Sequence, residues 1–317
     1  MPTYNREDFL VRTIQSVLAQ EFDQFELLIV DDGSTDRTAE VIHSFQDQRI
    51  VYFKRENGER AAARNTGIEK ARGQYLTFLD SDDLLKENHL SMAWRYIQQD
   101  HPIVFHLGYD VVDGRGKVLY PWKKLPSPVN DKLIEGNFLS CLGVFVKRDV
   151  LLDYKFNEDR LLSGSEDYEL WLRLAARFPI LAFPETTAML VNHEARSVVL
   201  VDSSTLIRRI ELLRFYLMKD IVFVSLYQGQ LRRWNAYRNI YVALHLALLP
   251  DSKTKAFHFA INAVRHLPAI LFEKRFWVVL KKLAFRTSPP TFAKASVGRP
   301  ASLPGGEGRS YFFSTFF

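Results

Sequence analysis

Three acidic clusters are the residues of this chain best placed to do chemistry: Asp31-Asp32-Gly33-Ser34, Asp80-Ser81-Asp82-Asp83 and Glu166-Asp167. Carboxylates cost free energy when they leave water unpaired, so stability is a poor reason to gather them. A carboxylate at Asp32 can accept hydrogen bonds from a nucleobase N–H or a ribose hydroxyl. The same turn can equally serve as a helix cap. Pro2-Thr3-Tyr4-Asn5 offers a second wall, with Tyr4 stacking near a base. Asp80 to Asp83 are crowded enough to repel one another, a penalty that a hard cation removes. Mg²⁺ or Mn²⁺ takes oxygen ligands, commonly one or two carboxylates plus substrate phosphates. His193 is a further candidate for a metal or diphosphate contact, or an ordinary surface histidine. Arg60 and Arg64 lie one helical turn apart and can face a diphosphate. Glu166-Asp167 opens a helix, where acidic residues suit the macrodipole; either carboxylate can also act as a general base.

The elements that must position these groups are legible as hydrophobic runs. Phe9, Leu10, Ile14, Val17 and Leu18 mark one helical face. Residues 25–30, 50–53 and 75–79 read as strands, the first ending at Asp31 and the third at Asp80. Helices are expected near 34–45, 60–72 and 84–99, with Gly73 after the second. This alternation predicts an α/β fold with a mostly parallel sheet and flanking helices. Beyond Pro102 the pattern changes. Residues 103–112 and 117–120 flank Asp113-Gly114-Arg115-Gly116, a hairpin signal. Residues 142–147 and 180–191 read as extended, and 168–177 as helical. From Ser203 the pattern is helical, and the Pro- and Gly-bearing stretch after 287 has no period. The expected divisions are 1–202, an α/β domain; 203–286, a helical C-terminal region; and 287–317, a disordered or aberrant tail.

Of the 317 residues, 47% are hydrophobic and 25% charged, an ordinary globular balance. The single cysteine, Cys141, excludes an internal disulfide framework and suits a reducing cytoplasm. No apolar run approaches the roughly 18 residues of a membrane span. The net charge of +5 is unevenly placed, with a basic stretch over 253–286. Aromatic and aliphatic residues interleave with Lys and Arg there, which suits either the inner face of an anionic membrane or a cap packed on the first domain. No motif supports nucleic-acid binding.

Taken together, five segments resemble the family 2 glycosyltransferases, whose fold is of the GT-A type. They are Pro2-Thr3-Tyr4-Asn5-Arg6, residues 30–36 around Asp31-Asp32, Ala63-Arg64-Asn65-Thr66-Gly67-Ile68, Leu79-Asp80-Ser81-Asp82-Asp83, and residues 166–174 opening with Glu166-Asp167-Tyr168. They span roughly the first 200 residues in family order. The resemblance implies that Asp32 reads the base, Asp80 lies near the ribose, Asp82 holds the metal on the diphosphate, and Asp167 is the catalytic base. It also implies a first apolar strand before Pro2; Met1 stands in that place, and a misplaced start or truncated frame is expected. The activity implied is inverting, metal-dependent transfer from a nucleotide-diphospho-sugar to a glycan or lipid-linked hydroxyl, in cell-envelope polysaccharide synthesis. A catalytically inactive nucleotide-sugar-binding or scaffold protein, and a nucleotidylyltransferase, are the alternatives.

Overall fold

The computed structural model describes residues 1–193 and 202–284; the stretch 287–317 that the sequence assigns to a tail lies outside them. A first sheet contains β1 (Pro2–Thr3), β2 (Leu27–Asp31) and β3 (Ile50–Lys54), in that order and all parallel. The register aligns Thr3 with Asp31 and Asp31 with Lys54, so the three strands end level with one another. The helices Glu7–Leu18 and Glu59–Lys70 follow β1 and β3. Leu10, Ile14 and Val17 of the first are buried, as are Ala63 and Ile68 of the second. Spacing of three and four residues puts these side chains on one helical face, and their removal from water is the main stabilising term.

The second sheet contains β4 (Tyr75–Thr77), β5 (Leu84–Leu85), β6 (Val104–Val112), β7 (Val118–Tyr120), β8 (Val144–Lys147) and β9 (Ile180–Val191). Its order is β4-β8-β6-β9-β5, with β7 on β6. Only β6 and β9 run parallel; the other pairs are antiparallel. The mostly parallel pairing expected from the alternation is found in the first sheet and in one pair of the second. For β6 and β7 the reason is the hairpin: a strand pair joined by a short turn, here with Gly116 at φ +82°, must run antiparallel. A second departure lies at Leu84-Leu85, which the apolar pattern assigns to a helix. These residues pair with Met189 and Ala188 as β5, and the helix begins only at His89. Two leucines carry no period, so pairing with β9 decides their conformation.

By compactness the chain divides into one unit from Met1 to Leu231 and a second from Arg232. The first includes two helices that lie after residue 202, where the sequence pattern turns wholly helical. Helices Ser203–Lys219 and Ile221–Tyr227 are tied into it by polar contacts. Tyr216 donates to Asp159 at 2.8 Å, and Arg177 grips Asp220 through two bonds of 2.8 and 2.9 Å. Asp220 also accepts from the N–H groups of Val222 and Phe223, capping the second helix. The second unit is helical, with Ile240, Ala260, Ala263, Ile270, Phe276 and Val279 buried. Among the described residues no helix is long and apolar enough to cross a membrane.

Candidate functional site

The turn after β2 is built by its own first carboxylate. Asp31 accepts from the Ser34 N–H at 2.8 Å and from the Tyr52 hydroxyl at 2.7 Å. Gly33 sits at φ +87°, a conformation that costs other residues free energy. Asp32 is buried and accepts from the Gly58 N–H at 3.0 Å, with Arg55 Nε at 3.6 Å. Burial pushes its carboxyl up, against the pull of Gly58 and Arg55. Beside it, the Asp32 N–H donates to the Thr3 carbonyl, which places Tyr4 next to the turn with its ring 48% exposed. Pro2 is buried in β1, opposite Val30. Tyr4 and Asp32 thus follow paired positions at the ends of β1 and β2, with Pro2 one pair further back in the strand.

Asp80 to Asp83 turn tightly, with the Asp83 N–H on the Asp80 carbonyl. Their carboxylates diverge to different partners, which relieves the repulsion expected from the sequence. Asp80 accepts from Arg64 at 2.8 Å. Asp83 is buried and accepts from the Val191 N–H at 2.9 Å, joining the turn to β9. Asp82 Oδ2 meets His193 Nε2 at 3.1 Å, with Arg6 at 3.9 Å. The His193 ring stacks on Phe9, centroids 4.7 Å apart. A cleft of about 140 Å³ opens beside Asp82 and His193, walled by Phe9 and Val191. Among the described residues no three His, Cys, Asp or Glu side chains converge as a closed metal cage. A carboxylate and an imidazole 3.1 Å apart nevertheless fit a cation that is shared with substrate phosphates rather than caged by protein.

Arg64 joins the second cluster to the third. Its guanidinium is buried, donating to Asp80 at 2.8 Å and to Glu166 at 2.8 Å, with its carbon 5.3 Å from the Phe156 ring centre. The sequence offers Arg64 as a diphosphate contact; the structure places it as a brace between two carboxylates. Asn65, its neighbour, clamps Phe156 through both its amide atoms and reaches Glu158.

Glu166 and Asp167 are adjacent but sit in different surroundings. Glu166 is buried, taking bonds from Arg64 and from the Gly164 N–H, with Arg60 at 3.9 Å. Burial works to raise its pKa, but Arg64 and then Arg60 outweigh it and hold the carboxyl below its usual range. Asp167 accepts from Asn137 Nδ2 at 3.0 Å and from the Tyr168 N–H at 2.7 Å. Protein crowds it on most sides, yet it keeps a solvent-facing edge. Burial first, and the Glu166 charge second, push its pKa up to about 6. A carboxylate that titrates near 6 and still reaches solvent has the properties of a general base.

Asn137 escaped the sequence reading because it lies in an irregular loop, 30 positions from its partner, with no period or motif to mark it. Cys141 is buried, and burial raises its thiol pKa.

The sequence profile of Glycosyl transferase family 2 matches residues 1–146. An uncharacterized glycosyltransferase of Haemophilus influenzae is 35% identical over 178 residues, 54% of this chain and 68% of that protein. The Escherichia coli UDP-Glc:alpha-D-GlcNAc-diphosphoundecaprenol beta-1,3-glucosyltransferase WfgD is 33% identical over 178 residues, 55% of this chain and 67% of that one. Rickettsial relatives are longer: the chain covers 26% of the protein from Rickettsia bellii, at 40% identity. The crystal structure of S. aureus TarS 1-349 in complex with UDP-GlcNAc superposes with a TM-score of 0.57 at 18% identity, covering 86% of this chain and 90% of that one. The chain belongs to glycosyl transferase family 2 and has the GT-A type of fold.

Proposed function

We propose that this glycosyltransferase is inverting and metal-dependent, with Asp167 as its base and a lipid-linked or growing cell-surface glycan as its acceptor. The observation that carries the proposal is the contrast within Glu166-Asp167: one carboxylate is consumed by Arg64, the other has a pKa near 6 and an open edge. In this reading Tyr4 and Asp32 receive the base of the nucleotide and Asp80 lies near the ribose. Asp82 and His193 would hold a Mg²⁺ or Mn²⁺ ion, which would supply positive charge to the diphosphate. Asp167 takes the proton of an acceptor hydroxyl. The acceptor oxygen forms a bond to the anomeric carbon, on the face opposite the nucleotide. The bond from that carbon to the diphosphate oxygen breaks, and the nucleoside diphosphate leaves with the electron pair.

The acceptor class rests on the E. coli relative, whose name places glucose on a diphosphoundecaprenol-linked sugar. The donor class rests on the same name and on the UDP-GlcNAc complex of the S. aureus neighbour. An acceptor of this kind sits at the inner face of the cytoplasmic membrane, which is the proposed setting. The test is to incubate the chain with a panel of nucleotide sugars and Mn²⁺ and follow release of nucleoside diphosphate. Release with one donor, lost on chelation and recovered with Mn²⁺, supports the reading. Donor binding without turnover, across a panel of lipid-linked acceptors, would favour an inactive nucleotide-sugar-binding protein.

A further inference from the structure

The helix Lys274–Ala284 presents two faces of different character. Phe276 and Val279 are buried within the second unit. The opposite stripe carries Lys274, Trp277 and Lys281, three and four residues apart, all exposed. Trp277 is 60% exposed although it is the largest apolar side chain of the helix. Its indole N–H donates to the Leu271 carbonyl at 2.8 Å, which lays the ring over the turn Pro268–Phe272. There Leu271 is exposed and Phe272 is 90% exposed. One surface therefore combines an indole, a phenyl ring and a leucine with two lysines.

The surrounding charge points to one kind of partner. Residues 253–284 contain seven Lys and Arg and a single acid, Glu273. Glu273 accepts from the Tyr237 hydroxyl at 2.7 Å. The first 252 residues carry 35 Asp and Glu against 31 Lys and Arg. Attraction to an anionic surface is thus strongest towards the C-terminal part of the sequence and is opposed by the first 252 residues. Indole and phenyl rings favour the headgroup layer of a bilayer, and lysines flanking them reach lipid phosphates with their stems on the apolar side. An acidic protein partner would match the lysines, but it would leave a 90% exposed phenylalanine without a hydrocarbon counterpart unless it offered a groove.

We propose that Leu271, Phe272 and Trp277, with Lys274 and Lys281, form a surface that docks on an anionic lipid bilayer. The rings enter the headgroup layer and the lysines meet lipid phosphates, without spanning the bilayer. The proposal is independent of which carboxylate is the base, and its test does not use activity.

The experiment is flotation of the full chain with vesicles of phosphatidylglycerol and phosphatidylcholine, at low and high salt. Binding to anionic vesicles only, weakened by salt, is expected. Lys274→Gln and Lys281→Gln should each lower the partition coefficient about fivefold. Trp277→Ser with Phe272→Ser should lower it at least about tenfold. Because all four side chains are exposed, far-UV circular dichroism melts of the variants should match the parent. Four results would overturn the proposal: no binding by the intact chain at low salt; equal binding by every variant; equal binding to neutral vesicles; or loss, in these variants, of self-association or single-stranded RNA binding in a chain that ignores vesicles.

Discussion

The candidate site has a locked interior and an open rim, and both contain carboxylates. In the interior, Arg64 holds Glu166 at 2.8 Å and Asp83 is spent on the Val191 N–H, while Asp80, on the other arm of Arg64, keeps a side chain 31% exposed. At the rim, Tyr4, Asp82, His193 and Asp167 keep an accessible edge or border the cleft. The difference teaches that a cluster of carboxylates is not one functional unit. Glu166 and Asp83, which leave water, acquire a cation or an N–H and become structural; Asp167, which keeps an edge on water, retains capacity for a proton.

Removing the cation of the interior should have the largest effect. Arg64→Ala leaves Glu166 buried without its main partner and should lower stability by about 3–5 kcal/mol, read from urea melts. If that variant melts like the parent, the interior is not locked.

Next comes the rim. Asp167→Asn should keep donor binding and cut turnover by about 10²–10⁴-fold. Its stability should move the other way. A carboxyl whose folded pKa is raised binds its proton more tightly when folded, so its contribution is present at low pH and is lost as pH rises through about 6. Asp167→Asn should therefore melt at or above the parent at pH 8. Glu166→Gln should show the reverse, because its folded pKa is depressed: its stability is present above the unfolded pKa and lost as pH falls. Normal turnover in Asp167→Asn together with its loss in Glu166→Gln would reverse the two assignments.

Asp82→Ala should leave the melting temperature nearly unchanged and remove the Mn²⁺ dependence of donor affinity, measured by calorimetry. Unchanged affinity with Mn²⁺ would take Asp82 out of the site. The mildest effect is a pH limb. Turnover at low donor concentration should fall about tenfold per pH unit below about 6 as Asp167 takes up a proton. A limb well below that pH, or none, would point to a base other than Asp167.

The linear order of residues was enough to mark the strand ends that carry Asp31 and Asp80 and the helix that opens with Glu166. Each lies at a change of hydrophobic period or beside a turn residue, and such local signals survive without tertiary context. The hairpin of β6 and β7 and the extended stretch of β9 were legible for the same reason. What the chain could not reveal by itself is how its carboxylates divide. Nothing local separates Glu166 from Asp167: they are neighbours of the same charge at one helix start. The division comes from Arg64, 102 positions away from Glu166, and from Asn137, 30 positions away from Asp167. The placement of Leu84-Leu85 as β5 likewise depends on β9, about a hundred residues downstream. Burial, ion pairing and strand pairing are relations between distant segments, so the tertiary structure alone decides which acid is braced and which is left able to take a proton.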